Sequence, residues 1–590
     1  MAGEIIVLKF GSSVLGTPAD LPNAVHEIYR WYRGGYRVIA VVSAIGLATD
    51  ELLCEAQSVT ATPEPYATAE LLSTGERTSA ALLGLALDRS GIRARVVDPR
   101  ELRLIASGSA LDSELCSLNY GRVHDLLADY PVLVLPGFFG ADTEGRTLLL
   151  GRGGSDLTAI FLARTLKARC RLLKDVDGVY EIDPTPGESA ARDPDPRRYA
   201  YLSYADALRV ATQLLQPKAV AFARQYTARA EVASCGQGYE TVVHGGSSEF
   251  AGVPSPAVAP TVPSRVLMLG LGTVGLGVYQ RLLANPGDFQ VVGALVRDRG
   301  KYERLGLPAG ILRTRSDQIA KLRADIVVDA LSDADLSREL AEHYLSSGAS
   351  FVSAGKRLIA ESGPSLDALA ERSGGTLLYR AAVGGATPML EAIEHCSARE
   401  PITALAGVLN GTCNFVLDRC RDGASFSEAV QQAQQLGLAE ADPTDDMGGN
   451  DAAWKLSILC RHAFRKEARV VERQALDESA AARAREMAPK GLRLRQIARA
   501  SLCDGEVRAT VRLETVPQDS PFGQLRDEWT ALQLVTQDGL ELVKGRGAGR
   551  WPTTEAVIAD LFDLRRLAAV SDASRRSECS APARSSPRSG

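Results

Sequence analysis

Short apolar runs, each delivered into a turn of glycine or charged residues, set the pattern of this chain. Residues 5–8, 37–42, 131–135 and 170–173 are apolar enough to be strands covered on both faces, as parallel strands are. Between them Val25, Ile28, Trp31 and Tyr32 fall on one helical face. Residues 71–77 predict the opening of another helix, and 157–166 a third. The pattern starts again at 265–269 and continues through 290–296, 326–330 and 350–353. Between the two series lies SSEFAGVPSPAVAPTVP, residues 247–263, with no apolar period. Pro254, Pro256, Pro260 and Pro263 lack a backbone N–H and turn the preceding residue away from helix. That stretch predicts an extended, semi-rigid spacer between two α/β halves.

A chain of 590 residues is too long for one core. Its 67 basic and 72 acidic residues are well mixed, which argues against nucleic acid or an anionic membrane as partner. The opening MAGEIIVLKFGSS has an early acid and a short apolar run, so it predicts a buried strand rather than a signal peptide. No apolar stretch approaches the ~20 residues that span a bilayer. Ten cysteines without a C-x-x-C pair indicate neither a disulfide framework nor a zinc site, and the expected compartment is the cytoplasm. The six histidines form no H-E-x-x-H or nucleophile-elbow motif, which removes metal and serine hydrolases.

In the first half the strand at 5–8 runs into Lys9-Phe10-Gly11-Ser12-Ser13, a small-residue turn where backbone N–H groups and a lysine can meet phosphate oxygens. The P-loop spacing is absent. The densest signal is TLLLGRGGSD, 147–156: glycines, Ser155 and Arg152 at a helix start make an anion site, and Asp156 can orient a reacting group or a metal. A second acidic turn, KDVDGVY, follows the strand at 170–173. Such turns collect at strand ends where open α/β sheets bind ligands.

KFGSSV, VVSAIG, LLSTGER, GFFGADTEGRTLLLGRGGSD and KDVDGVYEIDP occur in this order, and residues 5–245 resemble the catalytic domain of aspartate kinases in the amino-acid kinase superfamily. The resemblance implies a three-layer α/β/α domain over 1–246 that transfers phosphoryl from ATP–Mg²⁺ to the side-chain carboxylate of L-aspartate. It implies that Lys9 stabilises the transferring group and Asp156 organises the pocket, and that Glu76, Arg152 and Ser155, with Ser43 nearby, hold aspartate. Gly11, Ser12, Lys174, Asp175, Tyr180 and Lys218 would face the nucleotide. Ser12, Lys174 and Gln216 replace the family's glycine, threonine and histidine. The regulatory ACT domains usual after such a domain are not expected, because the spacer begins at once.

In the second half, Gly270-Leu271-Gly272-Thr273-Val274-Gly275 follows a strand and opens a helix, the setting a dinucleotide fingerprint requires. After the next strand, Arg297 with Lys301 suits the 2′-phosphate of NADP(H) better than NAD(H); the alternative is a solvated basic cluster. Asp451 and Lys455 stand four apart on one helix face among apolar neighbours, which predicts a partly buried pair rather than a solvated one.

GVLNGTCNF (407–415), EADPTDDMGGNDAAWKL (440–456) and GRGAGRWPTTEAVIADL (545–561) make residues 265–563 resemble homoserine dehydrogenase. That implies a Rossmann domain over 264–379 and 545–573, with Gly549 in the cofactor set, an α+β catalytic and dimerisation domain over 380–544, and a disordered tail over 574–590. The implied reaction is reduction of L-aspartate 4-semialdehyde to L-homoserine. Lys455 or Lys356 would protonate the forming alkoxide, while Glu440, Asp442, Asp446 and Asp451 hold the substrate amine and order the lysine. Gly355 replaces an asparagine. Arg380 replaces the acid that opens the turn where Val383 and Gly385 would offer carbonyls to Na⁺ or K⁺; its guanidinium either substitutes for that cation or abolishes its site.

The chain therefore predicts a bifunctional enzyme of threonine, methionine and lysine biosynthesis, a homodimer or homotetramer. The rivals are a kinase joined to a weakened or retasked dehydrogenase, a non-catalytic nucleotide-binding sensor, and a kinase for a related amino acid.

Overall fold

A computed structural model describes residues 3–182, 196–252, 262–439, 442–468 and 470–579. The first half is built on Ile5–Phe10, which lies in parallel between Arg37–Val42 and Arg169–Lys174. Side chains alternate across a strand, and here both sides are covered. Ile6, Leu8 and Phe10 pack with Val25, Ile28 and Leu83, while Val7 packs on the opposite face with Leu157 and Ile160. Among the described residues nine strands join this sheet, with Val132–Pro136 and Ala94–Val96 beyond Arg37–Val42. Two buried helical layers around a mostly parallel sheet are the expected α/β/α arrangement.

One boundary differs from the sequence reading. Residues 71–77 do not open a helix; they lie inside Pro65–Arg89. The true start is Glu64-Pro65, where the Glu64 carboxylate accepts the Ala67 N–H at 2.6 Å and proline occupies the first turn. Glu76 is therefore a buried mid-helix residue rather than an acid at a helix N-terminus.

The second half has a six-stranded parallel sheet ordered Leu312–Arg313, Phe289–Leu295, Ser264–Leu269, Ile326–Asp329, Ser350–Ser353, Leu377–Leu378. Numbered along the chain this is 3-2-1-4-5-6, the doubly wound order that binds dinucleotides at its switch point. A further sheet, largely antiparallel and centred on Leu492–Cys503, Ala404–Val408 and Trp529–Val535, carries the α+β domain. The chain then returns: Ala556, Val557, Ile558 and Leu561 of the closing helix Arg550–Cys579 join the core beneath Ser264–Leu269.

Two segment boundaries are corrected. Glu249–Phe250, inside the expected spacer, pairs antiparallel with Tyr199–Ser203, and Phe250 stacks on Tyr199 with centroids 4.4 Å apart. The apolar ring fastens this stretch to the sheet edge. The closing helix also continues through Cys579, past the expected start of the tail at Ser574, because 574–579 contains no proline or glycine to break it. Residues 253–261 and 580–590 lie outside the described set. No helix among the described residues is long and apolar enough to cross a membrane.

Phe351 is fully buried in the larger core of the second half. Phe351→Ala is expected to destabilise that half by about 3–5 kcal/mol, read as a lower urea midpoint; an unchanged midpoint would contradict its burial.

Candidate active sites

The first site lies at the C-terminal ends of the parallel strands. Ile5–Phe10 presents Lys9, Arg37–Val42 delivers Ser43, and Arg169–Lys174 ends in Lys174. The helix Gly154–Leu166 points its N-terminus at the same place, entered through Gly151 and Gly153 at φ 73° and 77°. Lys9, Gly11, Ser12, Ser43, Glu76, Arg152, Ser155, Asp156, Lys174, Asp175 and Tyr180 all border one cleft of about 1040 Å³. The sequence reading named these residues together, and the fold brings them together.

At the cleft floor, Asp156 is buried between two ammonium groups: Lys9 Nζ at 2.8 Å and Lys174 Nζ at 3.1 Å. Burial pushes the Asp156 carboxyl up, but Lys9 and Lys174 outweigh it and hold the group below the usual carboxylate range. Burial lowers Lys9 in turn, opposed by Asp156 and reinforced by Lys174. Glu76 Oε1 accepts the Ala44 N–H at 3.1 Å, while its buried Oε2 has no hydrogen-bond partner. Burial pushes Glu76 up to about 7. An unpartnered buried carboxylate oxygen at a cleft wall fits a ligand ammonium.

Lys218 is the exception. It donates to the Ser113 and Leu150 carbonyls at 2.9 and 2.8 Å and pairs with Asp112. It ties these segments together, and it is not among the residues that border the cleft.

The second site forms where the dinucleotide sheet meets the α+β domain. Lys356 follows Ser350–Ser353, and Asp451 and Lys455 lie on Asn450–Phe464. Asp451 is 1% exposed and pairs with both lysines, with Lys455 Nζ at 2.9 Å. Lys455 also donates to the Leu409 carbonyl at 3.0 Å. Asn410, which the sequence reading did not single out, donates its amide to Asp446 and Asp451, both at 2.8 Å. Its Oδ1 caps Gly411–Arg421 by accepting the Cys413 N–H at 2.7 Å. An asparagine immediately before a helix was the available signal.

The two acids diverge. Burial and the Asp451 charge raise Asp446, whereas Lys356 and Lys455 overcome burial and depress Asp451. Asp442 stands apart: its carboxylate accepts Thr444 N–H and Oγ–H at 3.1 and 2.5 Å, exposed, as a turn cap. This local bond competes with the substrate-holding role expected of it. Glu440 lies outside the described residues.

Gly355 sits in a tight spot beside Asp329 and Ser353. A Cβ there would sit 3.1 Å from both Asp329 Oδ2 and Ser353 Oγ. Nearby, Gly270 and Gly275 make the tight strand–helix turn, with Gly272, Thr273 and Val274 between them and Gly549 opening the closing helix at φ 112°. A Cβ on Gly275 would lie 2.1 Å from the Gly270 carbonyl, while one on Gly272 would meet nothing within 4 Å. Gly272 is thus open for close approach, as a bound pyrophosphate needs. Arg297 reaches Ser332 Oγ at 3.5 Å and Lys301 lies 5.3 Å from the Tyr302 ring centre, both at that sheet's edge. Val383 is buried and Gly385 adopts φ 53° in the turn after Arg380.

Arg380 is engaged elsewhere. Its side chain lies 3.3 Å from Glu391, 3.5 Å from Asp560 and 3.8 Å from Glu394, and its backbone N–H donates to Asp560 at 3.2 Å.

The fold and sites thus define a phosphate-handling α/β domain joined to a dinucleotide-binding dehydrogenase. Residues 4–234 match the amino acid kinase family, 270–380 the homoserine dehydrogenase NAD binding domain and 388–562 homoserine dehydrogenase. Homoserine dehydrogenase of Neisseria gonorrhoeae is 30% identical over 53% of this chain and 75% of its own; that of Synechocystis is 32% identical over 52% and 75%. Aspartokinase of Helicobacter pylori is 35% identical over 35% of this chain and 50% of its own, so the chain spans half the length of that relative. The chain belongs to the homoserine dehydrogenase family and carries an amino acid kinase domain ahead of it.

Gly275→Ala is expected to weaken dinucleotide binding at least tenfold, about 1.4 kcal/mol, in a fluorescence titration with NADPH. ATP binding to the first half should stay unchanged, and equal loss of both would contradict a local clash.

Proposed function

We propose that the chain catalyses two reactions of the aspartate pathway: phosphorylation of L-aspartate by ATP to 4-phospho-L-aspartate, and NADPH-dependent reduction of L-aspartate 4-semialdehyde to L-homoserine. The observation that carries the second, more exposed half of the reading is the convergence of Lys356 and Lys455, from two different domains, on buried Asp451.

In the first reaction an oxygen of the aspartate side-chain carboxylate attacks the γ-phosphorus, and ADP leaves. Lys9 and Lys174 stand where charge on the transferring group is neutralised, and Asp156 keeps both ammoniums in place. Arg152 and Ser155 at the helix N-terminus take the substrate carboxylate, and Glu76 its ammonium. No group of three or more His, Cys, Asp or Glu gathers to hold a metal among the described residues. Mg²⁺ would therefore be held chiefly by the nucleotide phosphates, with Asp175 or Asp156 within the same cleft.

In the second reaction NADPH supplies the hydride when bound. Asp446, with Asp451 and Asn410 behind it, binds the substrate ammonium. Lys356 or Lys455 gives a proton to the carbonyl oxygen as it becomes an alkoxide, and Asp451 fixes both lysines. The Arg297–Lys301 edge supports NADPH over NADH by charge. The cytoplasm, a dimer or tetramer, and control without amino-acid feedback domains complete the reading.

Paired assays on the intact chain test it: ADP release dependent on aspartate, and NADPH loss dependent on the semialdehyde. Both rates are expected. Absence of the second would leave a kinase joined to a retasked dehydrogenase.

Glu76 gives a sign to the pH dependence. Its carboxyl is raised to about 7, so it is ionised above that pH and neutral below it. As pH falls through about 7, kcat/KM for aspartate should fall as the ammonium partner is lost. Glu76→Gln should lower kcat/KM and flatten that limb; an unaltered limb would assign it to another group.

A further inference from the structure

The two halves do not merely share a chain. Arg33, the last residue of the Leu21–Arg33 helix of the kinase domain, is 6% exposed and reaches across to the dehydrogenase half. Its guanidinium lies 3.2 Å from Asp560, pairs with Asp563 and stands 3.9 Å from Glu391. Arg380 approaches the same Asp560 Oδ1 and Glu391 Oε1. Asp560, with no exposed surface, thus sits between one guanidinium from each half and also accepts the Arg380 backbone N–H. Around this centre the contact is apolar as well as ionic. Ala386 and Ala559 of the dehydrogenase half belong to the same buried cluster as Ile28 and Tyr29 of the kinase helix. Nearby, His26 Nδ1 is 3.1 Å from Glu555, and its ring packs on Phe562 at 4.6 Å.

The network leads on to the dehydrogenase site. Tyr379, the residue before Arg380, has its hydroxyl 3.0 Å from His462 Nε2. His462 lies on Asn450–Phe464, the helix that carries Asp451 and Lys455. Removing Arg33 would leave Asp560 facing Arg380 with Asp563 and Glu391 close by, a surplus of buried negative charge relieved by taking up a proton, moving or opening.

We propose that Arg33 of the kinase domain is a positioning residue for the dehydrogenase: with Arg380 it clamps Asp560, fixes the turn from 380 to 388, and makes the dehydrogenase half complete only when the kinase domain is docked on it. The inference rests on the dehydrogenase activity proposed above. Arg380 is then the dehydrogenase's share of an interdomain clamp, which accounts for a guanidinium where the family resemblance implies an acid.

The test uses the full chain with a protease recognition sequence replacing residues 254–259, cleaved after purification. The cleaved parent is expected to elute as one particle and to keep its dehydrogenase rate. Cleaved Arg33→Ala is expected to separate into two fragments. Before cleavage it should already show at least a tenfold lower kcat for semialdehyde reduction, with KM for NADPH within about threefold and the kinase rate within about twofold. Arg33→Lys, which keeps the charge, should recover part of the dehydrogenase kcat. Fragments of the cleaved parent that separate and keep full dehydrogenase rate would overturn the proposal. So would an Arg33→Ala chain with unaltered dehydrogenase kcat, or equal loss of both activities that Arg33→Lys does not relieve. A parent chain without dehydrogenase activity would instead defeat the functional reading. The elution of its cleaved forms would then decide the clamp alone, with coelution of cleaved Arg33→Ala counting against it.

Discussion

A buried aspartate held between two cations recurs among the described residues, and three instances sit at junctions. Asp156 lies between Lys9 and Lys174 where three strands and a helix N-terminus meet. Asp451 lies between Lys356 and Lys455 where the dinucleotide sheet meets the α+β domain. Asp560 lies between Arg33 and Arg380 where the two halves meet. A carboxylate without solvent is costly unless paired, and loss of one partner leaves the other charge stranded. Each triad therefore acts as a lock: the elements contributing the cations must be in register for the aspartate to be tolerated at all.

The same construction has different chemical consequences according to the cations. Lysines have compact charges on flexible stems and lose protons when desolvated, so the two lysine triads are suited to charge neutralisation and proton transfer at a ligand. Burial does lower Lys9. Arginines keep their charge and present several donors, which suits a permanent joint. The kinase and dehydrogenase sites carry the lysine form and the interdomain joint carries the arginine form, consistent with the roles proposed for each.

The joint also alters the meaning of the proline-rich stretch. By composition it separates two independent units, and residues 249–250 already belong to the kinase sheet. At the joint, α-helical surface from each half closes over Asp560 and a shared apolar cluster. The contact between the halves at this joint is made by residues far apart in the chain, Arg33 and Asp560 among them.

What the sequence determined by itself was whatever depends on local order along the chain. Strand-to-glycine turns, the G-x-G-x-x-G run and the spacing of Asp451 and Lys455 are short-range patterns, and their backbone demands are met within a few residues. Most of the kinase cleft was legible for the same reason, because parallel strands deliver their C-terminal turns to one edge. Tertiary structure decided the identity of each polar side chain's partner. Lys218 found the carbonyls of Ser113 and Leu150, Asp442 capped its own turn, and Arg380 met Arg33 at Asp560. Asn410 emerged as the amide between two acids. Charge and hydrogen-bonding capacity are written in the sequence, but a long side chain bonds to whatever folding brings within about 3 Å, and residues distant in the chain set that.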